Sequence, residues 1–378
     1  MNIAKSPSSR IPSLDGLRGI AILLVVSIHL AGSRYYLPAS FFNYLGDLGA
    51  LGVRVFFVIS GFLITTLLLR EQRSTGNISL PLFYIRRTFR LFPAFYVFLL
   101  VIALLSFIKV ITLAHGDLFH AATFTINYHW DRSWWVGHVW SLSIEEQFYL
   151  LWPAVLAFAG FSRSMRAARV VLLLCPLVRV VLMTMYPGRH AWMGELFPTV
   201  ADSLATGCLL AGFRDQLIQR SWYMTLLASR WFNVLPICAC GLNLFPGGRL
   251  RVLLLETVLN VCIAITIDRN VRMPMTISGR FLNGSALRYV GVRSYSIYLW
   301  QQLFLRHANA VLPFPGNLAL ALGTAWLSYR FVELPFFDLR RRLEGNIKRR
   351  SLLAVDGEAV RVQASAEFAP ESESAATS

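Results

Sequence analysis

Apolar runs long enough to cross a bilayer recur from one end of this 378-residue chain to the other. In hydrocarbon every backbone amide must be satisfied within the protein, so such runs are read as helices. Hydropathy and flanking charge divide them into about ten spans. These lie at roughly 14–33, 48–69, 88–112, 140–160, 169–186, 197–213, 223–245, 252–267, 286–305 and 316–337. Only 15% of the residues are charged and 56% are hydrophobic, whereas a soluble chain usually carries about 25% charge.

The expected fold is therefore an all-α polytopic membrane protein, about ten transmembrane helices around a central pore, with no fused soluble domain. Residues 1–13 form a cytoplasmic N-terminal segment and 14–338 the transmembrane domain. Residues 339–378 are a tail that is basic at first and then disordered, being rich in Ala, Ser and Glu. No internal repeat stands out, which disfavours the transporter folds built from repeats.

The net charge of +16 does not call for a nucleic-acid partner. The basic residues gather after even-numbered spans and before odd ones, which is the positive-inside pattern. It places both termini in the cytoplasm and the chain in the inner (cytoplasmic) membrane. The connection 113–138 is then outside, with His115, His120, His129, His138, Trp130, Trp134 and Trp135. Arg249 and Arg251 depart from the pattern. The five cysteines are odd in number and lie in or beside apolar runs, so no disulfide framework follows. No histidines have metal-ligand spacing and no glycine-rich nucleotide motif is present, so neither a metal nor a permanently bound cofactor is expected.

The first span carries Asp15, Arg18 and His29 within Leu14-Asp-Gly-Leu-Arg-Gly and the apolar run that follows. Arg18 and His29 are eleven residues apart, close to three helical turns, so they share a stripe and lie ~16 Å apart along the axis. Ionisable groups inside a bilayer are costly and normally face a bundle interior or a water-filled path. The structural alternatives are that Arg18 snorkels to the headgroups beside Asp15 and that His29 satisfies a single carbonyl.

Two further clusters carry chemistry. In Phe83-Tyr-Ile-Arg86-Arg87-Thr-Phe-Arg90-Leu-Phe-Pro93, Arg87 and Arg90 share a helical face at the cytoplasmic start of the third span. Arginines at a helix start suit phosphate groups, with the terminal amides adding to the site; a topology anchor is the plainer reading. In Trp140-Ser-Leu-Ser-Ile-Glu-Glu-Gln-Phe-Tyr149, two carboxylates, Glu145 and Glu146, stand together at the external end of the fourth span. Ser143 and Glu146 have capping-box spacing, which would leave Glu145 pointing inward one turn above Tyr149. Asp202 lies within a span and is expected to pair with an arginine. Glu333 is expected to pair with Arg330.

Taken together, these segments resemble the membrane-bound acyltransferase 3 family, which includes O-antigen and peptidoglycan O-acetylases. The match rests on Leu14-Asp-Gly-Leu-Arg-Gly with His29, Gly52-Val-Arg-Val-Phe-Phe-Val-Ile-Ser-Gly-Phe-Leu-Ile64, Arg86-Arg-Thr-Phe-Arg-Leu-Phe-Pro93, Trp140 to Tyr149 and Ser294-Tyr-Ser-Ile-Tyr-Leu-Trp300. The resemblance implies transfer of an acyl group, usually acetyl, from acyl-coenzyme A inside to a carbohydrate hydroxyl outside. It maps the basic-residue-then-histidine motif onto Arg18 and His29 and the paired arginines onto Arg87 and Arg90. The external acidic segment falls on Glu145 and Glu146. Gln301 stands where family members often have histidine, so no role is assigned to it. With no hydrolase-like domain following, acceptor delivery is expected to differ or to use a partner protein.

The expected mechanism has a pore lined by the first, third and fourth spans. Arg87 and Arg90 hold the coenzyme A phosphates, Arg18 marks the path of the pantetheine arm, and His29 is general base on the acceptor hydroxyl. Glu145 or Glu146 orients the imidazole or the sugar. Both direct transfer and an acyl-histidine intermediate stay open. The alternative from another class is a secondary transporter or flippase for an anionic solute, which intramembrane charges suit equally.

Overall fold

The computed structural model describes residues 11–31, 33, 36, 48–244, 251–305 and 312–345, and all regular structure among them is helical. Residues 1–10 of the expected N-terminal segment and most of the tail fall outside the described residues, and Pro12 and Ser13 of that segment already belong to the first helix. Helix α1 (Pro12–Leu30) opens on a proline, where the missing amide hydrogen costs nothing. Helix α2 (Leu48–Thr75) is the most deeply buried apolar span, whereas α3 (Leu80–Phe107) turns a largely apolar outer face away from the protein. Helix α4 (Val139–Met185) contains the fourth and fifth expected spans as one 47-residue segment. Its path breaks at Gly160, whose φ of 76° is a left-handed conformation that favours glycine. Helices α5 (Phe197–Leu217), α6 (Glu256–Arg272), α7 (Ser285–Val292), α8 (Ser294–Phe304) and α9 (Gly316–Ser328) follow.

Among the described residues, α1, α2, α3 and α4 are long and apolar enough to cross a membrane. A fifth candidate is the bent pair Ser221–Ala228 and Arg230–Leu242, which turns through 68°. This is fewer unbroken spans than the hydropathy expects. The ninth is divided at Arg293 into α7 and α8, and the tenth passes through a π-helical turn at Tyr329–Glu333. Helices α5 and α6 carry the buried charges Asp202, Asp268 and Arg269, which lower their hydropathy while packing inside the protein.

Two close helix crossings position the site. At the α2–α5 crossing, a methyl group on Gly61 would run into the Leu204 carbonyl, and one on Gly207 into that of Val58. Backbones approach this closely only through small residues. The glycines of the first motif do the same for α1 and α7: Gly19 faces the Leu287 carbonyl and Gly291 that of Asp15. Helix α1 is thereby held against the segment leading into α8. Trp152 Nε1 donates to Thr65 Oγ1 at 2.8 Å, tying α4 to α2.

Candidate active site

His29 lies in the last turn of α1, on the wall of a cavity of about 710 Å³. Facing it are Trp130, Trp134, His138 and Trp140, and two acid–base pairs, Arg54 with Glu256 and Arg132 with Glu195. The four charges of these pairs cancel, so the cavity wall is rich in donors, acceptors and aromatic faces without a dominant sign. Burial draws Arg132 below the ordinary arginine range, with Tyr298 and Asp117 acting in the opposite sense. His29 Nδ1 is 3.1 Å from Gln301 Oε1, and the Trp134 ring meets the imidazole edge-on at 5.7 Å.

Helix α8 explains its motif residue by residue. Tyr295 donates to the Leu91 carbonyl at 2.7 Å, and Ser296 donates to the Glu333 carboxylate. The Tyr298 hydroxyl donates to the His138 carbonyl at 2.5 Å and lies 2.6 Å from Ser141 Oγ. Gln302 Nε2 donates to the Trp134 carbonyl at 2.5 Å, and Trp134 Nε1 returns a bond to the Gln302 carbonyl at 3.1 Å.

Arg18 occupies the other part of α1, and its Nε is buried without a hydrogen-bond partner among the described residues. Arg18, Arg87 and Arg90 lie within one another's electrostatic reach, and Arg18 and Arg87 also act on Glu145. Glu146 lies within reach of Arg87, and Glu333 within reach of Arg90, Arg18 and Arg293. Four guanidiniums thus surround three carboxylates. No ion pair joins Arg18, Arg87 or Arg90 to a carboxylate among the described residues; Arg87 stacks on Tyr149 instead, 4.7 Å from the ring centroid. Positive groups left without direct counterions favour an anionic ligand.

Helix α3 begins at Leu80 rather than near 88, so Arg87 and Arg90 sit two to three turns inside it and its terminal amides are not part of their site. Arg86 turns away and pairs with Glu344 at 3.2 Å. Ser143 is no cap: α4 begins at Val139, and Ser143 bonds back to the Val139 carbonyl at 3.2 Å. Glu145 does point inward, accepting from Ser60 at 2.6 Å and Tyr149 at 3.0 Å. That groups it with Arg87, which meets the same Tyr149 ring, whereas the carboxylates lining the His29 cavity are Glu195 and Glu256. Glu146 Oε1 is buried without a partner among the described residues. Asp202 pairs with Arg179 at 3.0 Å, as expected of an intramembrane acid. Glu333 is buried on Ser296, while Arg330 is exposed.

The geometry defines a helical membrane-type protein whose first helix joins a histidine-lined cavity to a cluster of arginines. A family model described as an acyltransferase domain matches residues 11–332, and the chain belongs to that family, the acyltransferase 3 proteins. The peptidoglycan O-acetyltransferase OatA of Listeria monocytogenes is 29% identical over 370 residues, covering 86% of this chain and 55% of the relative. A Staphylococcus aureus protein named provisionally as an O-acetyltransferase is 30% identical, covering 86% and 57%. YrhL of Bacillus subtilis, provisionally named a peptidoglycan O-acetyltransferase, is 29% identical, covering 86% and 54%. The chain spans about half the length of the curated relatives it matches. No solved structure matches.

Proposed function

We propose that this chain is an integral-membrane O-acetyltransferase of the inner membrane, with both termini in the cytoplasm. The donor is acetyl-coenzyme A on the cytoplasmic side and the acceptor a hydroxyl of a peptidoglycan-type glycan on the other. The expected ten crossings and central passage belong to this proposal. The observation that carries it is the layout of α1, with Arg18 among under-neutralised arginines at one part and His29 on the aromatic-walled cavity at the other. Arg18, Arg87 and Arg90 hold the phosphates, and the pantetheine arm runs along α1 toward His29. The relatives named as O-acetyltransferases support the acetyl group and the glycan.

In the reaction, His29 takes the proton of the acceptor hydroxyl as its oxygen bonds to the acyl carbon. The thioester C–S bond breaks, and the departing thiolate takes that proton back, so the histidine returns to its neutral form. Glu145, tied to Ser60 and Tyr149, acts at the arginine cluster, where it balances charge and fixes Arg87 through the Tyr149 ring. Glu146 shares that environment.

Membrane vesicles given radiolabelled acetyl-coenzyme A and glycan acceptor test the reading. The expected result is labelled, alkali-labile ester on the glycan, and its loss in His29→Ala by about 10²-fold or more. Undiminished labelling by that variant would overturn the role of His29. Solute uptake without thioester consumption would favour a transporter.

A further inference from the structure

Resting on the reading of His29 as the base, we infer that Gln301 is its positioning residue. Gln301 accepts the Nδ1 proton and so places the lone pair of the imidazole on Nε2. With its oxygen toward the ring the amide can only accept, so the 3.1 Å contact makes a hydrogen bond when Nδ1 carries the hydrogen. The neutral ring then has its basic nitrogen at Nε2.

Three features make this a built support. Gln301 is fully buried, so it acts on the histidine and does not meet the acceptor. Its helix α8 is pinned on either side of Gln301, by Tyr298 on the His138 carbonyl and by Gln302 on the Trp134 carbonyl. The neighbouring residue completes the clamp: Gln302 holds Trp134, and Trp134 packs edge-on against the imidazole that Gln301 bonds. Two successive glutamines therefore bear on one ring, one directly at its nitrogen and the other through Trp134. The choice of an amide has a chemical consequence. A carboxylate at this position would raise the proton affinity of the imidazole and leave more of the resting ring already protonated, whereas an amide orients the ring without adding charge.

The test uses full-length protein in detergent, labelled with ¹⁵N-histidine, with His29 assigned by comparison with His29→Ala. The wild type is expected to show the Nδ1–H tautomer at position 29. Gln301→Leu, which keeps the bulk and removes the acceptor, is expected to shift that signal to the Nε2–H tautomer and to lower kcat by about 10²-fold or more. The KM values for acetyl-coenzyme A and acceptor stay unchanged. Gln301→Glu, which keeps the acceptor, is expected to retain activity at high pH with the acid limb of its rate profile moved up by about one unit. An Nε2–H tautomer in the wild type, or a Leu variant with unchanged tautomer and unchanged kcat, overturns the inference. The tautomer is read without turnover, so it is decided even where His29→Ala shows that His29 is not the base.

Discussion

At the scale of single residues, the three arginines of one short stretch separate into two jobs. Arg86 is tied to Glu344, while Arg87 and Arg90 lie inside α3 among Arg18, Glu145 and Glu333. Hydrogen bonds to charged groups contribute roughly 1.5–3 kcal/mol. Arg87→Ala and Arg90→Ala are therefore expected to raise the KM for acetyl-coenzyme A by about 10–100-fold, with a smaller effect on kcat. Arg86→Ala is expected to leave that KM unchanged. Steady-state kinetics at varied donor concentration decides it, and an equal rise in all three variants would reduce the stretch to a topology anchor. That Arg18, Arg87 and Arg90 gather inside the protein and that His29 faces a cavity was legible in the sequence, because an ionisable group in an apolar run needs a reason to be there. Gln301 was not, since it is uncharged and its partner lies 272 residues away with no periodicity linking them. Glu145 was legible as an inward-pointing group, but its company was not: only the true start of α3 shows how far inside the protein Arg87 lies.

At the scale of elements, apolar length found where helices run but not where they break. The break at Gly160 inside α4 and the turn at Arg293 between α7 and α8 depend on backbone conformation and tertiary packing, which hydropathy does not register. Glycine is again the informative residue at helix crossings. Gly207 of α5 meets the Val58 carbonyl, whereas Gly323 of α9 faces open space. An added methyl group in a tightly packed crossing forces the backbones apart at about 1–3 kcal/mol, while at an open helical position alanine is favoured over glycine by roughly 0.5–1 kcal/mol. Gly207→Ala is thus expected to lower the thermal transition in detergent by several degrees, and Gly323→Ala to leave it equal or slightly higher. A Gly207 variant that melts with the wild type would mean that the α2–α5 crossing is looser than its geometry indicates.

At the scale of the whole molecule, one buried charge network joins four helices and forms part of the cavity wall. Arg54 of α2 meets Glu256 of α6 at 2.6 Å, Glu256 meets Arg179 of α4 at 3.2 Å, and Arg179 meets Asp202 of α5 at 3.0 Å. Thr257 adds a bond to Asp202 at 2.9 Å. Two arginines and two acids cancel, which makes the network tolerable in an apolar interior, and removing one member leaves a buried charge uncompensated. Breaking such a pair costs about 3–5 kcal/mol, whereas replacing both partners by apolar groups is often neutral. Asp202→Leu is therefore expected to destabilise the protein severely. Adding Arg179→Met to it should recover most of the loss, because Glu256 keeps Arg54 as its partner. Thermal unfolding of both single variants and the double variant measures the coupling, and a double variant no better than the sum of the two losses would show that the charges are not acting as a pair. The same series reads out the site: Arg54 and Glu256 face the cavity, so a recovered fold with an intact Arg54–Glu256 pair should also recover acetyl transfer. Recovery of the fold without recovery of transfer would place Arg179 and Asp202 in the catalytic cycle rather than only in the wall that supports it.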